Sequence, residues 1–497
     1  MEQITVLEVV AFDLGASSGR ALLGRLDGDT LSFREIHRFP NDPVQVGNRL
    51  HWDILRLWHE IKQGLIKARQ QSAGQLASLG IDSWAVDFGL LAENDELLGN
   101  PYHYRDNHTN GVMQKVWQEV SQAEIFKSTG IQFLTFNTVY QLYALKEADS
   151  PLLANARTLL LIPELLRFWL TGKKLSEWTN ASTTQFMSAT SPEWASTLLA
   201  KLDLPGEILA PLVPPGTLVG DILPEISRET GIAVLPVVAV GEHDTASAVA
   251  AVPAEETPFA YISCGTWSLI GTEIREPALS DKALEFNVTN ERGVDNTFRL
   301  LKNVTGLWLT QECYRTWHKA GISISYEQEA GLIAETAAFR SFIDPDHTMF
   351  AAPGDMPEQI QKYCRQTGQP VPETPGEILR CIYQSLALKY RLVLEQIEEL
   401  SMHQFKNLHM VGGGIQNRWL CQATADATCK TVLAGPTEAS AIGNVIVQFL
   451  ALGQFKTLAE ARAAVRRSFP PEIYQPQDTG AWDIAYQTFR QIIDKRL

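Results

Sequence analysis

The sequence is poor in cysteine: six residues in 497, all between Cys264 and Cys429, and none arranged as C-x-x-C. This argues against a disulfide framework and against structural zinc, and makes a reducing cytoplasm the expected compartment. Long apolar runs are also missing. The longest, such as Ala233 to Val240, reach about half of what a membrane-spanning helix needs, and Glu8 interrupts the first apolar stretch, unlike a signal peptide. Positive charge is scarce: 42 Lys plus Arg against 57 Asp plus Glu leave a net charge of −15, a surface that repels nucleic acid and anionic membranes. Neither is expected as a partner. The motifs G-x-x-x-x-G-K-[ST] and G-x-G-x-x-G do not occur, which excludes P-loop and protein-kinase nucleotide machinery.

What is present is an ordinary globular composition, 45% hydrophobic and 20% charged, in a chain long enough for two large domains. Val9 to Leu14 reads as a buried strand, Gly15-Ala16-Ser17-Ser18-Gly19 as a turn, and Arg20 to Leu26 as a returning strand. Leu31 to Phe39 alternates as a third strand. Asp53 is placed to cap a helix whose apolar face is Ile54, Leu57, Trp58, Ile61 and Leu65, and Leu79 to Phe88 reads as the next strand. A similar pattern returns 250 residues later: Phe259 to Ser263, the turn Cys264-Gly265-Thr266, then Trp267 to Ile274. A long helical pattern from Ile378 to Leu400, strands at Leu408 to Val411 and Thr431 to Ala434, and helices near Asn417 and from Glu438 complete an alternating α/β order. Two related domains are expected, 1–245 and 246–497.

Three readings compete for Gly15 to Gly19. G-x-S-x-G would make Ser17 a hydrolase nucleophile, but that motif joins a strand to a helix, and here the chain turns back as a strand. A plain hairpin that needs glycine is the second. The third uses successive main-chain N–H groups, the serine hydroxyls and Arg20 as a phosphate cradle, with Asp13 beside it tolerable through an intervening Mg²⁺, directly or through water. His243 and Asp244 follow a buried apolar strand, where an aspartate either serves as general base in phosphoryl transfer or simply caps the helix expected from Thr245. Trp84, Trp267 and Trp308 read first as core. Asp82 and Asp87, on either side of Ala85, read first as solvated strand-end carboxylates, and Gly412-Gly413-Gly414 as a turn that also allows close approach to a flat ring.

Taken together, Phe12-Asp13-Leu14-Gly15-Ala16-Ser17-Ser18-Gly19-Arg20, Gly241-Glu242-His243-Asp244-Thr245, Ser263-Cys264-Gly265-Thr266-Trp267-Ser268 and Gly412-Gly413-Gly414-Ile415-Gln416-Asn417 resemble the FGGY carbohydrate kinases of the actin-like and Hsp70-like ATPase superfamily. Tyr104-Arg105-Asp106, Thr109-Asn110-Gly111, Phe136-Asn137-Thr138, Thr179-Asn180-Ala181 and Lys302-Asn303 draw the likeness toward the branch that acts on L-rhamnulose. The resemblance implies two ribonuclease H-like domains with a cleft between them, the first mainly for sugar and the second mainly for ATP. It implies ATP-dependent phosphorylation of a ketose 1-hydroxyl, with Asp244 as catalytic base. Ala16, Ser17, Ser18, Gly19, Arg20 and Thr266 are implied as phosphate contacts, Asn303, Gln311, Gly413 and Gly414 as nucleotide-side contacts, and Ala85, His243, Asp244 and Thr245 as sugar contacts. Ala85 stands where the family pattern Trp-Gly-Val-Asp-Phe has glycine, so the pocket is expected to narrow by a methyl.

Overall fold

The computed structural model describes residues 7 to 494, in two compact units. The first runs to Glu255 and adds Glu273–Leu300 and Glu438–Pro470; the second comprises Glu256–Thr272, Leu301–Thr437 and the chain from Pro471.

In the first unit β1 (Leu7–Leu14), β2 (Ser18–Asp27), β3 (Thr30–Pro40), β4 (Gln75–Ser83), β5 (Thr217–Asp221) and β6 (Pro236–Ala239) form one sheet, ordered β5-β6-β4-β1-β2-β3. β1 is almost continuously apolar because it lies inside the sheet, antiparallel to β2 and parallel to β4. β3, at the edge, alternates and buries only Leu31, Ile36 and Phe39. α1 (Ile54–Gln71) starts where expected: Asp53 accepts the Arg56 N–H at 3.1 Å, and Ile54, Leu57, Ile61, Leu65 and Ala68 make the buried stripe. Gly64 lets this helix close on β1, since a Cβ there would stand 2.5 Å from the Phe12 ring. β4 departs from the expected strand: it begins four residues earlier, at Gln75, and stops at Ser83, because residues 84 to 87 turn sharply before pairing resumes at Phe88. α2 (Thr138–Glu147) packs against that turn, and α3 (Asp244–Ala250) follows β6. The helix Ala439–Ala451 crosses α3 at Gly443, where an added Cβ would lie 1.7 Å from the Ser247 carbonyl. This close crossing brings Asn444 and Gln448 to the sheet. Gln448 bonds Ser78 and the Val10 carbonyl, and Asn444 donates to Asp82 at 2.6 Å.

The second unit repeats the plan. β7 (Ala260–Cys264), β8 (Trp267–Ile274), β9 (Phe298–Thr305), β10 (Asn407–Val411), β11 (Thr431–Ala434) and β12 (Glu472–Tyr474) are ordered β9-β8-β7-β10-β11-β12. β7 is again antiparallel to its hairpin partner and parallel to the strand on its other side. α4 (Trp308–Lys319) follows β9, α5 (Pro375–Ser401) leads into β10, and α6 (Arg418–Thr428), capped by Asn417, joins β10 to β11. α5 opens with a capping box, Thr374 with Glu377, and Pro375 at its first position. No described helix is long and apolar enough to cross a membrane.

Candidate active site

Asp13, the last residue but one of β1, stands opposite Arg20 on β2 and beside Asp82 on β4. Arg20 holds it through Nε at 3.0 Å and Nη2 at 2.7 Å, and its Nη1 pairs with Glu438. Burial works against the Arg20 charge, but Asp13 and Glu438 more than offset it, so its pKa moves up. The turn between the strands is a tight hairpin closed by the Gly15 N–H to the Ser18 carbonyl at 3.0 Å, not a strand-to-helix elbow. This removes the geometric basis for a Ser17 nucleophile. Ser17 is exposed, Ala16 and Ser18 are half-buried, and Gly19 is fixed by Phe39, whose ring would meet a Cβ at 2.3 Å.

At the end of β4 the Ser83 N–H donates to the Glu242 carbonyl at 3.0 Å, which draws the segments around Ala85 and His243 together in one unit. Asp244 does not cap α3. His243 is the N-cap, and Asp244 stands in the first turn, where its carboxylate accepts the Thr245 hydroxyl at 3.2 Å. It retains 28% side-chain exposure, while His243, Thr245 and Asp13 are buried. Burial and the nearby Asp13 raise the Asp244 pKa against the opposing pull of His243. His243 Nε2 lies 3.5 Å from Asp244 Oδ1, and its Nδ1 faces the ion pair of Glu291 and Arg299.

Two expectations fail on burial. Asp82 and Asp87 are not solvated strand ends, being 0% and 1% exposed. The strand-end position places them against β1, the helix Ala439–Ala451 and α2, contacts that only the tertiary fold creates. Asp82 is pushed well above the usual carboxylate range, first by burial and then by Asp13, and its Oδ1 has no partner.

Glu438, Asn444 and the buried group behind His243 escaped sequence reasoning. There, Glu177 accepts the Glu242 N–H at 3.0 Å, Thr179 accepts the His243 N–H at 3.2 Å, and Arg167 pairs with Glu242. Burial and the adjacent Glu242 push Glu164 and Glu177 up to about 8. Thr179-Asn180 was visible as a motif, but its task was not.

In the second unit Thr266 lies in the turn between β7 and β8, and its hydroxyl donates to Gln311 on α4 at 3.3 Å. Asn303 is on β9, next to Lys302, whose pKa burial and Lys389 bring down to about 8. Of the three glycines after β10, Gly412 (φ +89°) and Gly414 are demanded by the chain itself, since a Cβ at either would stand within 3.0 Å of Cys264 atoms. Gly413 faces open space, so it alone leaves bare main chain available. Among the described residues, no group of three or more His, Cys, Asp and Glu is set to hold a metal by itself. Asp13, at the hairpin, is a carboxylate oxygen donor of the kind taken by a Mg²⁺ that keeps most of its waters.

A model of the FGGY carbohydrate-kinase N-terminal domain matches residues 8–251, and one of the C-terminal domain matches 260–452. A rhamnulokinase of Bacteroides thetaiotaomicron is 43% identical over 97% of this chain and 99% of its own. One of Bacillus subtilis is 40% identical over 98% and 99%. Crystal structures of a gluconate kinase and a ligand-bound xylulose kinase, both of Lactobacillus acidophilus, superpose with TM-scores of 0.81 and 0.82 at 15% identity, covering 98% or more of each chain, and so share the fold. With both domain models matched in order over most of its length, this chain belongs to the FGGY family of carbohydrate kinases.

Proposed function

We propose that the protein transfers the γ-phosphoryl group of ATP to the 1-hydroxyl of L-rhamnulose, giving L-rhamnulose 1-phosphate and ADP, as a step of L-rhamnose catabolism. The observation that carries the mechanism is Asp244: a partly exposed carboxylate among buried neighbours, rigidly held by α3 and by the Glu177 and Thr179 contacts to the residues before it. The hydroxyl oxygen bonds to the γ-phosphorus, the bond from that phosphorus to the bridging oxygen of ADP breaks, and Asp244 accepts the hydroxyl proton and returns it to solvent. Ala85, His243 and Thr245 orient the sugar. Ala16 to Arg20 and Thr266 contact the phosphates, and Asn303, Gln311, Gly413 and Gly414 contact the nucleotide side. Asp13, directly or through water, would hold Mg²⁺, which would neutralise phosphate charge in a protein of net charge −15. The setting is the cytoplasm, where the six unpaired cysteines remain reduced.

The high identity to proteins named rhamnulokinase supports the choice of sugar. An ADP-coupled assay over a ketose panel tests it. L-rhamnulose is expected to give the highest kcat/KM; a preference for L-fuculose would assign a different ketose. A serine-directed phosphonate is expected to leave activity untouched. Sugar-dependent ADP release that survives EDTA would remove Mg²⁺ from the scheme.

A further inference from the structure

The first unit carries a strained turn next to Ala85. Val86 has φ +69°, and the Asp87 N–H donates to the Ala85 carbonyl at 2.9 Å, closing a three-residue turn of the rarer hand around a β-branched residue. Such backbone persists only where its surroundings over-determine it. Here they do. The Val86 carbonyl accepts the Thr138 hydroxyl at 2.7 Å, from α2. Asp87 Oδ2 accepts the Trp52 indole at 2.6 Å, the Trp84 indole at 3.0 Å and the Tyr104 N–H at 3.1 Å, while Oδ1 accepts Gln141 at 2.8 Å. Four donors from separate segments thus converge on one carboxylate that is 1% exposed. Burial still pushes its pKa up to about 7 against all four, so the group is costly to keep. The sheet does not require it, since β4 has already ended at Ser83 and pairing resumes only at Phe88.

We propose that Asp87 is a positioning residue that sets sugar specificity: it clamps the strained turn at Val86, so that Ala85 meets the ketose in one fixed position. This rests on the reading of Ala85 as a sugar contact. With the turn clamped, the Ala85 methyl cannot swing aside. A ketose whose substituent reaches it is rejected, whereas a mobile loop would accommodate both sugars.

The test is Asp87→Asn in the full chain, which keeps the size but sets an NH₂ against converging donors. The KM for L-rhamnulose is expected to rise about tenfold, and the kcat/KM ratio of L-rhamnulose over the other ketoses to fall by about the same factor. The KM for ATP should stay within about twofold, because the clamp acts on the sugar alone. A parallel rise in both KM values, or unchanged selectivity, overturns the proposal. Should Asp87→Asn not fold, Trp52→Phe removes one donor and is expected to show the same split at about threefold; no split overturns the proposal equally. A wild-type protein inert toward every ketose would sink the function and this inference together. A selective wild type with an equally selective variant would sink this inference alone.

Discussion

The turn after β1 and the turn after β7 hold equivalent places, each joining a strand to its antiparallel hairpin partner with a parallel strand on the other side, yet opposite means stabilise them. The first is flanked by charge: Asp13, Arg20 and Glu438 alternate in sign around it. The second is held by main chain. The Leu307 N–H donates to the Gly265 carbonyl at 2.9 Å and the Gly306 N–H to the Thr266 carbonyl at 3.1 Å, with Gly412 and Gly414 packed on Cys264. A duplicated backbone plan therefore does not duplicate chemistry. One copy depends on partners for its charges, and the other on side chains that are missing.

The strongest test of the contrast is Asp244→Asn, which leaves both turns intact. We expect kcat to fall by about 10² to 10⁴ with ATP binding by calorimetry unchanged; near-normal turnover would remove Asp244 as base. Next is Arg20→Ala, which strands the buried Asp13 and is expected to cost about 3 kcal/mol in urea unfolding. A loss under about 0.5 kcal/mol would show that charge does not hold the first turn. Against the second turn, Gly306→Ala, just after β9, would drive a Cβ to 2.6 Å from Ser268 Oγ and 2.8 Å from the Gly265 carbonyl. It is expected to cost about 1–3 kcal/mol. Gly15→Ala in the first turn, with only the Ser18 carbonyl at 3.2 Å, serves as the mild control. Equal losses for the two alanines would erase the distinction.

Away from both turns, the last test is a pH signature. Glu177 keeps its proton in the folded state up to about 8, whereas the unfolded chain releases it near the ordinary 4.5. Its contribution to stability is complete below the lower value and is lost as pH rises through the upper one. Glu177→Gln lacks this term, so wild-type stability should fall relative to the variant between those limits, by at most about 1.4 kcal/mol per pH unit. Parallel curves would refute the raised pKa.

The hairpins, the capped start of α1 and the repeat were legible in the sequence, because each rests on local signals: apolar period, capping residue, glycine at a turn. The glycine triplet was legible only as a group. The structure separates Gly412 and Gly414, which Cys264 leaves no room to replace, from Gly413, which faces open space. Asp82 and Asp87 misled because burial is not written at a strand end. It depends on which helix is folded over that end, here through Asn444 and Gln141, far away in the chain.

By itself, then, the sequence determined the two-domain α/β plan and the family, since periodicity, turn residues and short motifs are properties of short segments. Only the tertiary structure decided which carboxylates lost their water. Desolvation and the donors that compensate it come from parts of the chain that no local pattern connects: Glu438 to Arg20, Glu177 to the residues before Asp244, and four scattered N–H groups to Asp87.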